Sequence, residues 1–219
     1  MRALIEDDNI NYEYIIRYLR DSIPERQGLL KEMEEFAHTY SVPISQPESI
    51  RFIEVLLKIK PAEKILEVGT AIGYSAIIMA EASRGEVTTI ELSDDAYRKA
   101  NEFISRSDVA DKINVIHGDA NEILPTLDGS FDFIFVDAAK GQYMEFLPHC
   151  MRLLKKGGVL VSDNILYKGM TATDELLTHR KITIVKRLRS YIETLKESKE
   201  LSTAIIPIGD GIALSFKEV

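Results

Sequence analysis

From residue 64 onward, short apolar runs rich in β-branched residues alternate with segments whose apolar residues recur at helical spacing. This alternation predicts strands separated by helices, and strands that are apolar throughout are typical of a parallel sheet covered on both faces. We therefore expect a doubly wound α/β sheet that binds ligands beyond the carboxyl ends of its strands. The predicted strands are residues 64–68, 87–90, 113–116, 131–136 and 159–162, and the predicted helices between them are residues 75–82, 94–106, 121–126 and 143–154.

The two ends of the chain follow other patterns. The N-terminal part of the chain has helical periodicity. Pro24 and Pro47 are expected in the first turns of two helices, where a missing N–H costs nothing. Near the other end, two apolar runs flank Gly209-Asp210-Gly211, which predicts an antiparallel hairpin at the sheet edge. We expect one domain of 219 residues, with N-terminal helices over residues 1–60 and a cofactor-binding core over residues 61–219. The additional helices are predicted at residues 9–22, 24–40, 47–59 and 180–198, and the hairpin strands at residues 203–208 and 212–216.

The composition limits the compartment and the partners. The apolar runs are far shorter than the roughly 20 residues of a membrane-spanning helix, so no membrane association is expected. Residues 1–11 lack the pattern of a secretory signal, and the single cysteine, Cys150, can form no internal disulfide, so we expect a cytoplasmic protein. The net charge of −8 argues against nonspecific nucleic-acid binding, although a local basic run could still contact phosphates. The basic residues of that run are Arg180, Lys181, Lys186, Arg187 and Arg189, and a solvated helix face is the alternative explanation.

A glycine turn follows the first predicted strand. Gly69 and Gly73 are spaced G-x-x-x-G, unlike the patterns that hold the phosphates of dinucleotides or nucleoside triphosphates. Glycine there permits a tight turn and lets a ligand approach the backbone. Two acids, Glu91 and Asp119, follow the next two strands, about where α/β cofactor sites hold ribose hydroxyls. Many α/β loops contain two glycines, but glycines combined with these acids favour an adenosyl ligand without phosphates.

Several motifs, in chain order, resemble the class I S-adenosylmethionine-dependent O-methyltransferases of the catechol and caffeoyl-CoA O-methyltransferase family. The resemblance runs from about Ser41 to the end of the chain. It implies a Rossmann-like methyltransferase fold with seven strands, whose final hairpin places the last strand antiparallel inside the sheet edge. It also implies a homodimer. The motifs are Val42-Pro43-Ile44, Glu67 to Ser75, Glu91, Gly118-Asp119-Ala120, Asp137 to Lys140, Asp163-Asn164 and Ile206 to Gly211.

The resemblance implies a role for individual residues. A divalent metal, Mg²⁺ by the hard oxygen character of the ligands, is expected at Asp137, Asp163 and Asn164. Acids that merely cap helices after strands are the alternative explanation. Lys140 matches the base that removes the acceptor proton, with Asp137 beside it in the catalytic set. Residues expected to bind S-adenosylmethionine are Val42, Ser45, Glu67, Gly69, Tyr74, Ser75, Glu91, Asp119, Ala120 and Asp137.

The acceptor is less constrained. The motifs are most similar to the branch of the family that methylates 5-hydroxyuridine at the wobble position of bacterial tRNA, forming 5-methoxyuridine. Small-molecule members usually carry a Trp where Tyr167 stands, and this chain contains no Trp. We therefore expect a tRNA anticodon loop as the partner. Tyr143 and Tyr167 are candidates for stacking on a base, and packing in the core is the alternative role for both.

Two alternatives compete with the tRNA acceptor. A small catechol-like or phenolic acceptor would present the same pair of neighbouring oxygens to a metal that 5-hydroxyuridine does. A cofactor-binding module without catalysis is disfavoured, because Asp137, Lys140 and the Asp163-Asn164 pair are all intact.

Overall fold

The computed structural model of the protein describes residues 9–218. Most of the segment judged for a secretory signal, residues 1–8, lies outside the described residues. Within the described part, seven strands form a single mixed sheet in the order β3-β2-β1-β4-β5-β7-β6. The strands are β1 (Lys64–Val68), β2 (Glu86–Glu91), β3 (Ile113–His117), β4 (Phe131–Val136), β5 (Leu154–Ser162), β6 (Leu201–Ile206) and β7 (Ile212–Lys217).

The pairing confirms the predicted topology. The first five strands are parallel, so their carboxyl ends meet at one edge; Val68 of β1, for example, pairs with Ile90 of β2 and Val136 of β4. The last strand, β7, runs antiparallel to both β5 and β6, which places it inside the edge strand β6. This is the doubly wound, mostly parallel sheet with a C-terminal hairpin that the sequence predicted.

Helices cover both faces of the sheet. In β4, Phe133 and Phe135 pack with the helices of residues 28–104, whereas Ile134 and Val136 pack with the helices of residues 143–197. Strands buried on both faces have no polar alternation, which explains the uninterrupted apolar runs in the sequence. The helices are α1 (Glu13–Asp21), α2 (Gly28–Tyr40), α3 (Pro47–Ile59), α4 (Tyr74–Ser83), α5 (Asp94–Ile104), α6 (Ala120–Ile123), α7 (Tyr143–Leu153) and α8 (Ile182–Glu197).

Some predicted boundaries were wrong. The second helix begins at Gly28, not at Pro24; residue Gln27 is extended (φ −124°, ψ 163°), and the neighbouring Arg26 binds Glu54 of α3 instead of joining a helix. The fifth strand begins at Leu154, five residues before the prediction, because Gly157 and Gly158 accommodate an irregular register beside β4. The predicted helix 121–126 is one α-turn followed by a 3₁₀ turn containing Pro125.

No helix within residues 9–218 combines the length and apolar character needed to cross a membrane.

Candidate functional site

A cavity of about 620 Å³ opens where the parallel strands end, next to the start of α3. Its size suits a small-molecule cofactor together with part of an acceptor. Of the residues predicted to bind the cofactor or the metal or to act as the base, Glu67 and Asp163 do not line it and are 0% and 1% exposed. The predicted residues that line it are Val42, Ser45, Gly69, Tyr74, Ser75, Glu91, Asp119, Ala120, Asp137, Lys140 and Asn164.

The glycine turn is required for a reason that the sequence did not reveal. Gly69 has φ +102°, and a Cβ added there would lie 2.2 Å from the backbone oxygen of Asp137. The turn after β1 thus packs directly against the loop after β4, and any larger residue would push the two apart. Close approach of a ligand is therefore not needed to explain Gly69. Gly73, with φ +86°, lies immediately before α4.

Glu91 fixes the backbone of this turn. One of its carboxylate oxygens accepts the N–H of Ala71 and the other accepts the N–H of Ser93, each at 2.8 Å. Ala71 has φ +48°, an uncommon conformation that the first bond helps to hold. Each carboxylate oxygen can accept a second hydrogen bond, so Glu91 keeps acceptor capacity for a ribose hydroxyl. Asp119 is also a local organiser, because its side chain accepts from Asn121 and caps α6.

Glu67 supports the cavity from behind. It accepts hydrogen bonds from the hydroxyls of Ser75 and Thr89, and Thr89 is 2.6 Å from the hydroxyl of Thr70. Burial raises the pKa of the Glu67 carboxyl to about 8, against the opposing effect of the two hydroxyl donors. The hydroxyls of Thr70 and Thr89 were missed in the sequence. For Thr89 the available signal was the pair Thr88-Thr89 between Val87 and Ile90 in β2, since a buried hydroxyl needs a partner.

Tyr74 links the cavity to the N-terminal helices. It lines the cavity and is 3% exposed, while its hydroxyl donates to Glu34 of α2. Burial is the largest cause that raises the pKa of this phenol above its usual range. The N-terminal helices are thereby attached to the first turn of α4, directly beside the glycine turn.

On the opposite side of the cavity, Asp137 follows β4 with its carboxylate partly exposed. Its Oδ1 is 3.2 Å from Nζ of Lys140, and its Oδ2 accepts from the hydroxyl of Ser45 at 3.4 Å. Lys140 belongs to a 3₁₀ turn, Lys140–Gln142, that precedes α7. The predicted acid and base therefore meet, together with a predicted cofactor residue, in one corner of the cavity.

Asp163, which follows β5, is more deeply placed than an ordinary residue at a strand end. It is 1% exposed, and its Oδ1 accepts the N–H of Asn164 at 2.7 Å. Burial, and after it the charge of Asp137, raises the pKa of the Asp163 carboxyl well above its usual range. A carboxylate buried beside a second carboxylate needs positive charge nearby if both are to be ionised.

The predicted metal ligands are a mixed set. Among residues 9–218, no group of three or more His, Cys, Asp or Glu side chains is placed to hold a metal. The candidate set consists of two carboxylates and the side-chain amide of Asn164, which lines the cavity. Oxygen donors of this type are those preferred by Mg²⁺.

Tyr143 is packed in the core, the second of the two roles considered for it, and is not accessible for stacking on an acceptor base. It is 1% exposed and lies beneath the site, where its hydroxyl is 3.0 Å from the carbonyl oxygen of Asp163 and 3.3 Å from that of Val136. The residue bridges the ends of β4 and β5, the two strands that present the acids. Its side chain packs edge to face against Tyr191 of α8, with ring centroids 5.4 Å apart.

The basic run is not one continuous charged surface. Arg189 donates to the carbonyl oxygens of Met170 and Thr171 and pairs with Asp174, so it holds the loop that follows β5. Arg187 donates to the carbonyl oxygen of Gly141 at 2.6 Å. These two arginines are structural. Lys181 remains exposed, with its Nζ 5.5 Å from the ring centroid of Tyr167, and Arg180 and Lys186 are also exposed.

Comparison with known proteins identifies the family of this chain. The sequence model of the O-methyltransferase family matches residues 21–218. A caffeoyl-CoA O-methyltransferase of Eucalyptus gunnii is 30% identical over 226 residues, covering 97% of this chain and 89% of that protein.

Solved structures of O-methyltransferases are also similar to this chain. A provisionally named caffeoyl-CoA O-methyltransferase of Staphylococcus aureus has a TM-score of 0.86 at 31% identity, covering 94% of this chain and 100% of that one. An O-methyltransferase of Bacillus cereus, solved in complex with SAH, has a TM-score of 0.81 at 25% identity, covering 93% and 97% of the two chains. The chain belongs to the O-methyltransferase family and is an S-adenosylmethionine-dependent O-methyltransferase.

Proposed function

We propose that this enzyme methylates the 5-hydroxyl of wobble 5-hydroxyuridine in tRNA, with Mg²⁺ held by Asp137, Asp163 and Asn164. The observation that carries the proposal is the composition of a single cavity. Its lining joins the glycine turn and Glu91 on one side to Asp137, Lys140 and Asn164 on the other. A methyl donor and an oxygen acceptor can therefore meet in one cavity, as direct displacement requires.

The acids fit a divalent cation. Asp163 is buried close enough to Asp137 for that carboxylate's charge to raise its pKa, and hydrogen bonds from the chain compensate this only in part. A cation beside the pair would relieve the repulsion. Bound Mg²⁺ would supply Lewis-acid chemistry, favouring the ionised form of an acceptor hydroxyl. Ser45 and Lys140 hold the other side of Asp137 and so limit the directions in which its oxygens can point.

Lys140 is proposed to accept the proton of the acceptor hydroxyl. Its Nζ lies 3.2 Å from Asp137 and its side chain is 25% exposed, so it is partly shielded from water. The base role is coupled to the metal proposal, because the carboxylate that contacts Lys140 is that of Asp137, a proposed metal ligand.

The tRNA acceptor is supported by the position of the exposed cations. Lys181 lies over Tyr167, which belongs to the loop that begins with Asn164, and Arg180 and Lys186 are exposed nearby along the chain. Phosphate contacts from these residues would add affinity for a nucleic acid, and the ring of Tyr167 offers a surface for base stacking. Arg187 and Arg189 are removed from this set because they bind loop carbonyls.

The second candidate is a small phenolic acceptor with two neighbouring oxygens. It is favoured by the names of the relatives, which include a caffeoyl-CoA O-methyltransferase of Eucalyptus gunnii. The deciding experiment incubates the protein with labelled S-adenosylmethionine and Mg²⁺, offering hydroxylated tRNA, tRNA without the hydroxyl, and a set of catechols. Label in hydroxylated tRNA alone supports the first proposal. Preferential labelling of catechols would replace it with the second.

A further inference from the structure

Helix α8 contacts the turn that carries Lys140. Arg187, in the first half of that helix, donates from Nη1 to the carbonyl oxygen of Gly141 at 2.6 Å, and the same nitrogen lies 3.3 Å from Oε1 of Glu145. The two residues it contacts stand on either side of the start of α7, which begins at Tyr143. A single guanidinium thus joins α8 to both the turn and the following helix.

The turn itself has little internal support. It is a single 3₁₀ turn, Lys140–Gln142, in which the N–H of Gln142 donates to the backbone oxygen of Ala139 at 2.9 Å. Gly141 at its centre contributes no side chain to packing, and the nearest atom to a Cβ built there is Nη1 of Arg187, at 3.9 Å. A short turn with a central glycine samples several conformations unless an outside group holds it.

We propose that Arg187 is a positioning residue for methyl transfer, which acts by holding the Lys140–Gln142 turn so that Lys140 points at the acceptor oxygen. The inference rests on the proposed role of Lys140 as the base. A base held in one orientation loses less freedom when the reacting atoms align, so the effect falls on turnover. Arg187 does not line the cavity, and it acts through the turn rather than on a ligand.

In this proposal Arg187 differs in role from the exposed cations of the basic run, which are proposed to contact tRNA phosphates. If it contacted tRNA phosphates, its removal would raise KM for tRNA and leave a free nucleoside unaffected. If it positions Lys140, its removal lowers kcat with small and large acceptors alike. Lys196 provides a matched control, because it is a cation on the same helix with 53% side-chain exposure, against 50% for Arg187.

The first measurement needs no acceptor. Amide hydrogen exchange of residues 138–146 is compared in the wild type, Arg187→Ala, Arg187→Lys and Lys196→Ala. We expect Arg187→Ala to accelerate exchange in this segment by about tenfold, Arg187→Lys to have a smaller effect because it keeps a donor, and Lys196→Ala to match the wild type. Exchange that is unchanged in Arg187→Ala would overturn the proposal.

The second measurement is a double-mutant cycle on kcat with a free acceptor, combining Arg187→Ala with Lys140→Met. We expect the single variant Arg187→Ala to have a kcat about tenfold lower than that of the wild type and an unchanged cofactor Kd, because Arg187 supports a reacting group without touching a ligand. In the Lys140→Met background it should have little further effect. An equal reduction in both backgrounds would show that Arg187 acts elsewhere and would overturn the proposal. If the wild type methylates no acceptor offered, the proposed function fails, and the exchange experiment alone decides the role of Arg187.

Discussion

The two sides of the cavity are held in place by different means. On the proposed cofactor side, the turn after β1 is fixed by the ends of neighbouring strands: Gly69 packs on the backbone of Asp137, and the carboxylate of Glu91 binds the N–H groups of Ala71 and Ser93. On the proposed acceptor side, the loops after β4 and β5 are held by long side chains from a distant helix, chiefly Arg187 and Arg189 of α8.

From this difference we infer that the two sides of the cavity have separate roles. A turn that packs directly on the backbone of a neighbouring loop tolerates few changes, which suits the binding of a constant cofactor. Loops held by long side chains can change shape through single substitutions in α8, without disturbing the sheet. We infer that acceptor choice is adjusted on the α8 side, and four predictions test the separation.

The largest effect is expected from the acids. Asp163→Asn or Asp137→Asn should lower methyl transfer by at least about 100-fold, since each removes a proposed metal ligand. Asparagine is preferred to alanine at position 163, because the site is buried and alanine would leave a void. Rates with saturating Mg²⁺ and melting temperatures would be measured together. Full activity in both variants would contradict the proposed metal site.

The next effect concerns Lys140 alone. Lys140→Met should lower kcat by roughly 100-fold or more while the cofactor Kd stays constant, because the amine is proposed to act on the acceptor proton. Hydroxide can replace the base, so the deficit should shrink as the pH rises. A variant that loses cofactor affinity and keeps its turnover would assign Lys140 to the cofactor side instead.

A smaller effect is expected from the exposed cations. Replacing Arg180, Lys181 and Lys186 by glutamine should raise KM for hydroxylated tRNA and reduce the salt dependence of binding, by roughly 0.7 to 0.9 unit of slope for each phosphate that is no longer neutralised. Comparison with a free 5-hydroxyuridine acceptor isolates the phosphate contribution. An unchanged salt slope would favour the small phenolic acceptor.

The smallest effect concerns the pH dependence of stability caused by Glu67, the buried carboxyl behind the glycine turn. Burial raises the pKa of Glu67 to about 8, above its value in the unfolded chain, so the folded state binds more protons between these values. Stability of the cofactor-free protein should therefore fall as the pH rises from about 5 to 8. Glu67→Gln should flatten this decline, whereas the exposed Glu35→Gln should not. Parallel pH profiles for wild type and Glu67→Gln would show that Glu67 titrates normally.

Most of the fold followed from sequence pattern, because burial on both faces leaves continuous apolar runs. β1 and β4 were predicted at their observed bounds, as was α3, whose Pro47 lies in the first turn. The segment at Pro24 was predicted wrongly, since a tertiary pair between Arg26 and Glu54 outweighs the local preference for a helix.

The convergence of the candidate site residues was predictable where they follow neighbouring strands. Glu91, Asp119 and Asp137 line one cavity because parallel strands bring their carboxyl ends together. The contacts that hold these site residues in place were not predictable. Arg187 and Gly141 are 46 residues apart, and Tyr143 and Asp163 are 20 apart, and no local pattern marks such pairs.

The most direct test of the account removes the metal and follows both sides of the cavity at once. Cofactor binding and methyl transfer to hydroxylated tRNA would be measured on the same sample before and after EDTA, and again after Mg²⁺ is restored. We predict that S-adenosylmethionine remains bound with similar affinity throughout, while transfer stops in EDTA and returns with Mg²⁺. Transfer that continues undiminished in EDTA would contradict the account.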